Sequence, residues 1–218
     1  MLRSGRCCSA AERAMIVLGL TGSIGMGKST VSAMFRAAGV PVFDADAEVH
    51  RLQGAGSTLV QHIEAAFPGT TGPGGVDRAQ LGRRVLGDAA ALMQLERLIH
   101  PAVEEARRDF LRRHRARPLV VLDVPLLFEK GGWRHVDAIA VVSAPAWVQR
   151  RRVLRRPGMS AGRLRHILGH QMPDREKRRR ADFIIPTAVP PFETRAAVRH
   201  LIACLRARGV RYCRTCAR

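Results

Sequence analysis

The eight residues Gly22-Ser23-Ile24-Gly25-Met26-Gly27-Lys28-Ser29 match the pattern G-x-x-x-x-G-K-[ST] in full, and Thr30 follows. Glycines at these positions let the chain turn so tightly that successive N–H groups converge on one anion. The helix that follows adds the positive end of its dipole. Lys28 would neutralise the β- and γ-phosphates of a nucleoside triphosphate, and the Ser29 hydroxyl would ligate an Mg²⁺ bridging the same oxygens. The plainer reading of such a run is a glycine turn entering an ordinary helix. The flanks favour the phosphate site. Met15-Ile16-Val17-Leu18 is a short apolar run suited to a buried parallel strand, and Val31-Ser32-Ala33-Met34-Phe35 continues with an apolar helical pattern.

Acidic residues stand at two further strand ends. Asp44-Ala45-Asp46 closes the apolar run Val40-Pro41-Val42-Phe43, and carboxylates at the carboxyl end of a parallel strand face the ligand crevice. One of them could orient or deprotonate an attacking hydroxyl. Either could instead cap the helix through Ala47 to Leu52. The spacing leaves both open, and the roles can be divided between the two residues. Asp123 ends the run Leu119 to Val124, where a Walker-B acid holds Mg²⁺ directly or through water. Pro125 then stiffens the strand exit. Leu126, Leu127 and Phe128, ahead of Glu129, could wall a pocket or simply pack in the core.

These groups need a scaffold, and the hydrophobic pattern supplies one. Met15–Leu18, Val40–Phe43, Leu119–Val124, Val136–Ser143 and Ala181–Ile185 read as five short strands separated by helices, the signature of a parallel α/β sheet. Between the second and third strands, residues 53–117 are mostly helical in pattern, with a Gly/Pro-rich loop over Pro68 to Gly75. His100-Pro101 is expected to break the helix that carries Leu95, Leu98 and Ile99, since the residue before proline is pushed out of the α region. Arg78, Arg83, Arg84 and His100 could face an acceptor; each alone reads more simply as a solvated charge. Pro145 starts a helix running into Gln149-Arg150-Arg151-Arg152-Val153-Leu154-Arg155-Arg156. Pro157-Gly158 interrupts it, and Ser160 caps the next helix, to about Gln171. Helix, break and helix with flanking arginines describe a lid that closes over a transferring phosphoryl group. Glu176 to Arg180 reads as a charge run, and Thr194 to Arg208 as a final amphipathic helix stopped by Gly209.

Composition narrows the class. A chain of 218 residues with 46% hydrophobic content holds one sizeable domain, or one with an insert. No apolar run approaches the ~20 residues of a membrane span, so a cytoplasmic, membrane-free protein is expected. The formal charge of +19 suggests a polyanionic partner, but only three of the 37 basic residues are lysines. Arginine-heavy usage fits a G+C-rich coding sequence better than a nucleic-acid surface. Aromatic residues for base stacking are absent from the lid and make up 5% of the chain, which argues against single-strand binding. Cys7, Cys8, Cys204, Cys213 and Cys216 form no disulfide framework. The C-x-x-C at Cys213–Cys216 lacks a second pair at zinc-site spacing. Met1 to Ala14 is basic without a signal-peptide core; it reads as a disordered tail or an extension ahead of a start at Met15, and residues 209–218 as a second tail.

In this order the motifs resemble the dephospho-coenzyme A kinase family, from about Ile16 to Leu205. The likeness rests on GLTGSIGMGKST, on DAD at Asp44–Asp46, on Asp77-Arg78 and His100-Pro101, on DVPLLFE at Asp123–Glu129, on the lid arginines, and on Gln171 and Ala181-Asp182. The resemblance implies a P-loop nucleotide-kinase-like α/β fold: a parallel five-stranded sheet flanked by helices. Residues 15–46, 118–148 and 181–208 would form the nucleotide core, 47–117 a helical CoA-binding insert and 149–180 the lid. It implies ATP and Mg²⁺, with phosphorylation of the ribose 3′-hydroxyl of dephospho-CoA, by a monomer or small homo-oligomer. Asp46 matches the family's proposed base, and Arg152 and Arg156 its lid arginines. Asp44, His50, Arg51, Arg78, His100 and Pro125 to Glu129 would face the acceptor. Three positions depart from the family's pattern. His50, followed by Arg51, stands where arginine is common; Pro157 stands where an acid is usual. Pro186-Thr187-Ala188 replaces an Asn-containing turn, so adenine is expected to be read by backbone groups. The alternatives are another P-loop nucleoside or nucleotide kinase, and a basic protein whose nucleotide state controls nucleic-acid binding.

Overall fold

The computed structural model describes residues 15–208; the expectations for both tails and for Cys7, Cys8, Cys213 and Cys216 lie outside them. Five strands form one parallel sheet: β1 (Ile16–Thr21), β2 (Val42–Asp44), β5 (Leu119–Asp123), β6 (Ala138–Ser143) and β7 (Phe183–Pro186). Their order is β2-β5-β1-β6-β7. β1 is central because its run Ile-Val-Leu-Gly-Leu-Thr is apolar on both faces. Leu18 pairs in register with Val121 of β5 and with Ala138 of β6, and every residue of β5 and β6 is buried. The chain leaves β1 and builds outward in both directions, so the topological switch point, where such sheets bind ligands, lies at the carboxyl end of β1.

Helix α1 (Lys28–Ala37) packs on one face with α9 (Pro191–Arg208). Val31 and Phe35 meet Val198, Leu201 and Leu205 there over Leu18, Leu20 and Val142. α2 (Ala45–Leu52) leaves β2 directly, and α3 (Thr58–Ala66) and α4 (Arg78–Val85) follow. The region is not wholly helical: β3 (Thr71–Gly72) and β4 (Gly75–Val76) make a two-stranded antiparallel hairpin inside the Gly/Pro-rich stretch.

The expected break at His100-Pro101 is absent. α5 (Ala89–Arg113) runs through Pro101 as one helix of 25 residues. Proline removes one backbone bond and crowds the preceding turn, but packing on both sides of it overrides that local preference. Leu95, Leu98, Ile99 and Ala102 join a cluster with Leu59, Ile63 and Leu81. Val103, Ala106 and Phe110 join another with Phe43, Val120 and Leu122 of the sheet. One rod thus spans the cluster under α3 and α4 and the cluster on the sheet.

After β6 come α6 (Ala146–Leu154), α7 (Ala161–Gly169) and α8 (Asp174–Arg180). Ser160 caps α7 through its hydroxyl, which accepts from Arg163 N–H. The charge run Glu176 to Arg180 lies in helix α8, and its Lys177 is completely buried. Among the described residues no helix is long and apolar enough to cross a membrane.

Candidate functional site

The loop leaving β1 is shaped by left-handed glycines: Gly25 has φ 77° and Gly27 has φ 90°, a region an L side chain rarely enters. Gly27 is the N-cap of α1 and supplies no side-chain cap, and no acidic residue lies in the first turn. The positive end of α1 is therefore left open to an external anion. Lys28 Nζ lies 2.5 Å from Asp123 Oδ1, and the Ser32 hydroxyl donates to Asp123 Oδ2. Lys28 and Ser32 are one helical turn apart, so both reach the same carboxylate. Asp123 is buried; burial above all pushes its carboxyl up from the usual carboxylate range, Asp44 adds to that, and Lys28 and Ser32 oppose it. Ser29 and Thr30 are exposed on the first turn of α1.

Asp44 and Asp123 are register partners at the carboxyl ends of β2 and β5. The two aspartates of the DAD motif are divided. Asp44 Oδ1 accepts from Ala47 N–H at 3.0 Å, capping α2, and Asp44 Oδ2 lies 3.6 Å from Arg36. Asp46 is exposed on the first turn of α2 and, among the described residues, its carboxylate has no hydrogen bond or ion pair within the chain.

The acceptor-side candidates are spread more widely. His50 is exposed on α2. Arg51 is paired with Glu48 at 2.6 Å, and that hydrogen bond raises its already high pKa. Arg78 is exposed but donates to Gln53 Oε1 at 3.1 Å, bracing the start of α4 against the end of α2. His100 is exposed midway along α5. Of the apolar trio, Leu127 and Phe128 are in the core with Ile139 and Val141; only Leu126, with Pro125, is half-exposed. The turn after β5 folds them inward because the Thr21 hydroxyl holds the Pro125 carbonyl at 2.9 Å. Glu129 faces Lys177 at 2.9 Å.

Arg152 is held within the chain by Thr187. Its guanidinium donates to the Thr187 carbonyl at 2.6 Å and to Thr187 Oγ1 at 3.1 Å. Thr187 Oγ1 in turn donates to the Met26 carbonyl at 2.6 Å. Arg152 thereby joins α6 to the β7–α9 turn and, through Thr187, to the P-loop at Met26. Arg156 is exposed beyond α6, with no side-chain partner among the described residues. The Thr187 hydroxyl was not legible as a hub, since its partners lie 35 and 161 positions away. Ser32 was legible in principle, from its spacing of four after Lys28.

A family model described as dephospho-CoA kinase matches residues 16–188. A dephospho-CoA kinase from Novosphingobium aromaticivorans is 57% identical over 195 residues, covering 89% of this chain and 97% of that protein. One from Mesorhizobium japonicum is 58% identical over 195 residues, covering 88% and 98%. A crystal structure of a Thermus thermophilus protein is 36% identical, covers 88% of this chain and 98% of its own, and superposes with a TM-score of 0.77.

Proposed function

Since the chain belongs to the dephospho-CoA kinase family, we propose that it transfers the γ-phosphoryl group of ATP to the ribose 3′-hydroxyl of dephospho-CoA, the last step of coenzyme A synthesis. Asp46 orients that hydroxyl and accepts its proton as the oxygen attacks phosphorus. The open end of α1 and the amides of residues 22–30 hold the phosphates, except those of Ile24, Met26 and Thr30, which are bonded to Gln171, Ser23 and Gly27; Lys28 spreads its charge over the β- and γ-oxygens. The transition state is loose and gains most from positioning and charge. The exposed Ser29 hydroxyl with the nearby Asp123 carboxylate is a hard-oxygen donor set of the kind Mg²⁺ takes alongside phosphate and water. Ser29 and Asp123, whose oxygens also bind Lys28 and Ser32, would hold the ion. When bound, it would supply positive charge to the phosphate oxygens. Arg156 covers the transferring group, whereas Arg152, tied to Thr187, serves the adenine side. His50, Arg51, Arg78, His100 and the Pro125–Leu126 turn face the acceptor.

The division of the two aspartates carries this reading. Asp44 is spent as a cap, and Asp46, exposed just past the carboxyl end of β2, is left unpaired among the described residues. Asp46→Asn should lower kcat by about 10²–10⁴-fold with the KM for ATP little changed, as loss of a positioned base does. An ADP-release assay with dephospho-CoA, AMP, CMP and adenosine, with phosphorus NMR to locate the new phosphate, tests both role and acceptor. Full turnover by Asp46→Asn removes the assigned base; preference for a nucleoside or nucleotide acceptor removes the assigned substrate.

A further inference from the structure

The P-loop tip is held from outside through Ile24. The Ile24 N–H donates to Gln171 Oε1 at 3.1 Å, and the Ile24 carbonyl accepts from Gln149 Nε2 at 2.8 Å. Gln149 lies on α6 and is buried; Gln171 follows α7. The two glutamines thus come from opposite ends of the segment that carries the lid arginines. A Cβ at the neighbouring Gly25 would lie 2.5 Å from Val153 Cγ2 and 3.2 Å from the Gln149 carbonyl, so α6 rests directly on the loop.

Gln171 is itself fixed. The next residue, Met172, donates its N–H to Glu129 Oε1 at 2.8 Å. That oxygen is ion-paired with the completely buried Lys177, whose Nζ is also 3.4 Å from the Pro125 carbonyl. The strut runs from the lid's return to the turn after β5.

We propose that Gln149 and Gln171 are positioning residues that clamp Ile24 from the two ends of the lid, so that the phosphate cradle keeps its shape only while both joints are seated. This rests on reading residues 22–30 as the nucleotide site. Displacing the lid and loosening the grip on the phosphates are then one event, because the same two amides end both.

The hydrogen-bond directions make the test asymmetric. Gln171 accepts, so Gln171→Met should raise the KM for ATP about tenfold and Gln171→Glu, which keeps an acceptor, should recover most of it. Gln149 donates, so Gln149→Met should also cost about tenfold, but Gln149→Glu should be at least as damaging, because it sets a carboxylate against a carbonyl. A packing role alone would treat the two Gln→Glu changes alike, and that outcome overturns the clamp. Thermal melts identify any variant that fails to fold. In the native chain the Ile24 amide should exchange slowly with deuterium; exchange at a free-loop rate also overturns the clamp. Lys28→Met, measured for ATP binding by calorimetry, separates the two levels. Undiminished affinity there removes the phosphate-site reading itself; lost affinity there with matching Gln→Glu variants removes only the clamp.

Discussion

Replacing Lys177 by methionine probes a buried ion pair behind the site. Methionine keeps most of the aliphatic stem, so the change is chiefly one of charge. Glu129 would keep the Met172 N–H on Oε1, while Oε2, buried and without a partner already, would gain nothing. Deleting one member of a buried pair costs about 3–5 kcal/mol. The Glu129 side chain is 15% exposed, so water reaches it in part and the lower bound, about 3 kcal/mol, applies. In a chain of this size that is a fall in Tm of about 6–12 °C. The pH dependence follows from the sign of the Glu129 shift. In the native chain burial, the largest influence, pushes this carboxyl up, but Lys177 and the Met172 N–H together bring it below its ordinary value. The pair's contribution is thus present above the ordinary carboxylate pKa and is lost as pH falls through the lowered folded value. Without Lys177 burial prevails and the folded pKa rises. The penalty is then full at neutral pH and shrinks as pH falls through that raised value, because protonation removes the lone charge. Melting curves for both proteins from about pH 8 to about pH 5 should show the gap narrowing. A gap under about 2 °C at neutral pH, or one that does not change with pH, would show that Lys177 does not offset a buried charge on Glu129.

Other consequences are sharp enough to measure. Pro101→Ala restores a backbone N–H inside α5 and should stabilise the fold by about 1–3 kcal/mol, read as a higher Tm; a lower Tm means the proline shapes the helix in a way its neighbours require. Thr187→Val removes the hydroxyl shared by Met26 and Arg152 and should raise the KM for ATP about 5–30-fold. Thr187→Ser should stay within about threefold, and equal losses from the two would dismiss the hydroxyl as the cause.

The sequence revealed what short range determines. The strands of the sheet stand out because each is a near-continuous apolar run, and the P-loop because its glycines and Lys28 are fixed by local backbone geometry. Ser160 was legible as a cap for the same reason. What escaped depends on distant packing. Pro101 obeys a local rule that two hydrophobic clusters override. Lys177 sits among charged neighbours, and only the fold shows that Glu129 is waiting for it across 48 positions. Leu127 and Phe128 fit a pocket wall and a core equally well as residue types; the inward turn at Pro125 decides between them. Asp44 and Asp46 could not be told apart by spacing, because a cap and a free carboxylate use the same residue two positions apart.

The unbroken α5 has a mechanical corollary. At 1.5 Å per residue it is a stiff bar about 38 Å long, seated at Phe110 on the sheet and carrying the insert at its other end. A pivot of about 10° about that seat would swing Ala89 by roughly 5 Å. A small adjustment of the contacts around Phe110, Ala106 and Val103 is therefore magnified at the far end of the bar.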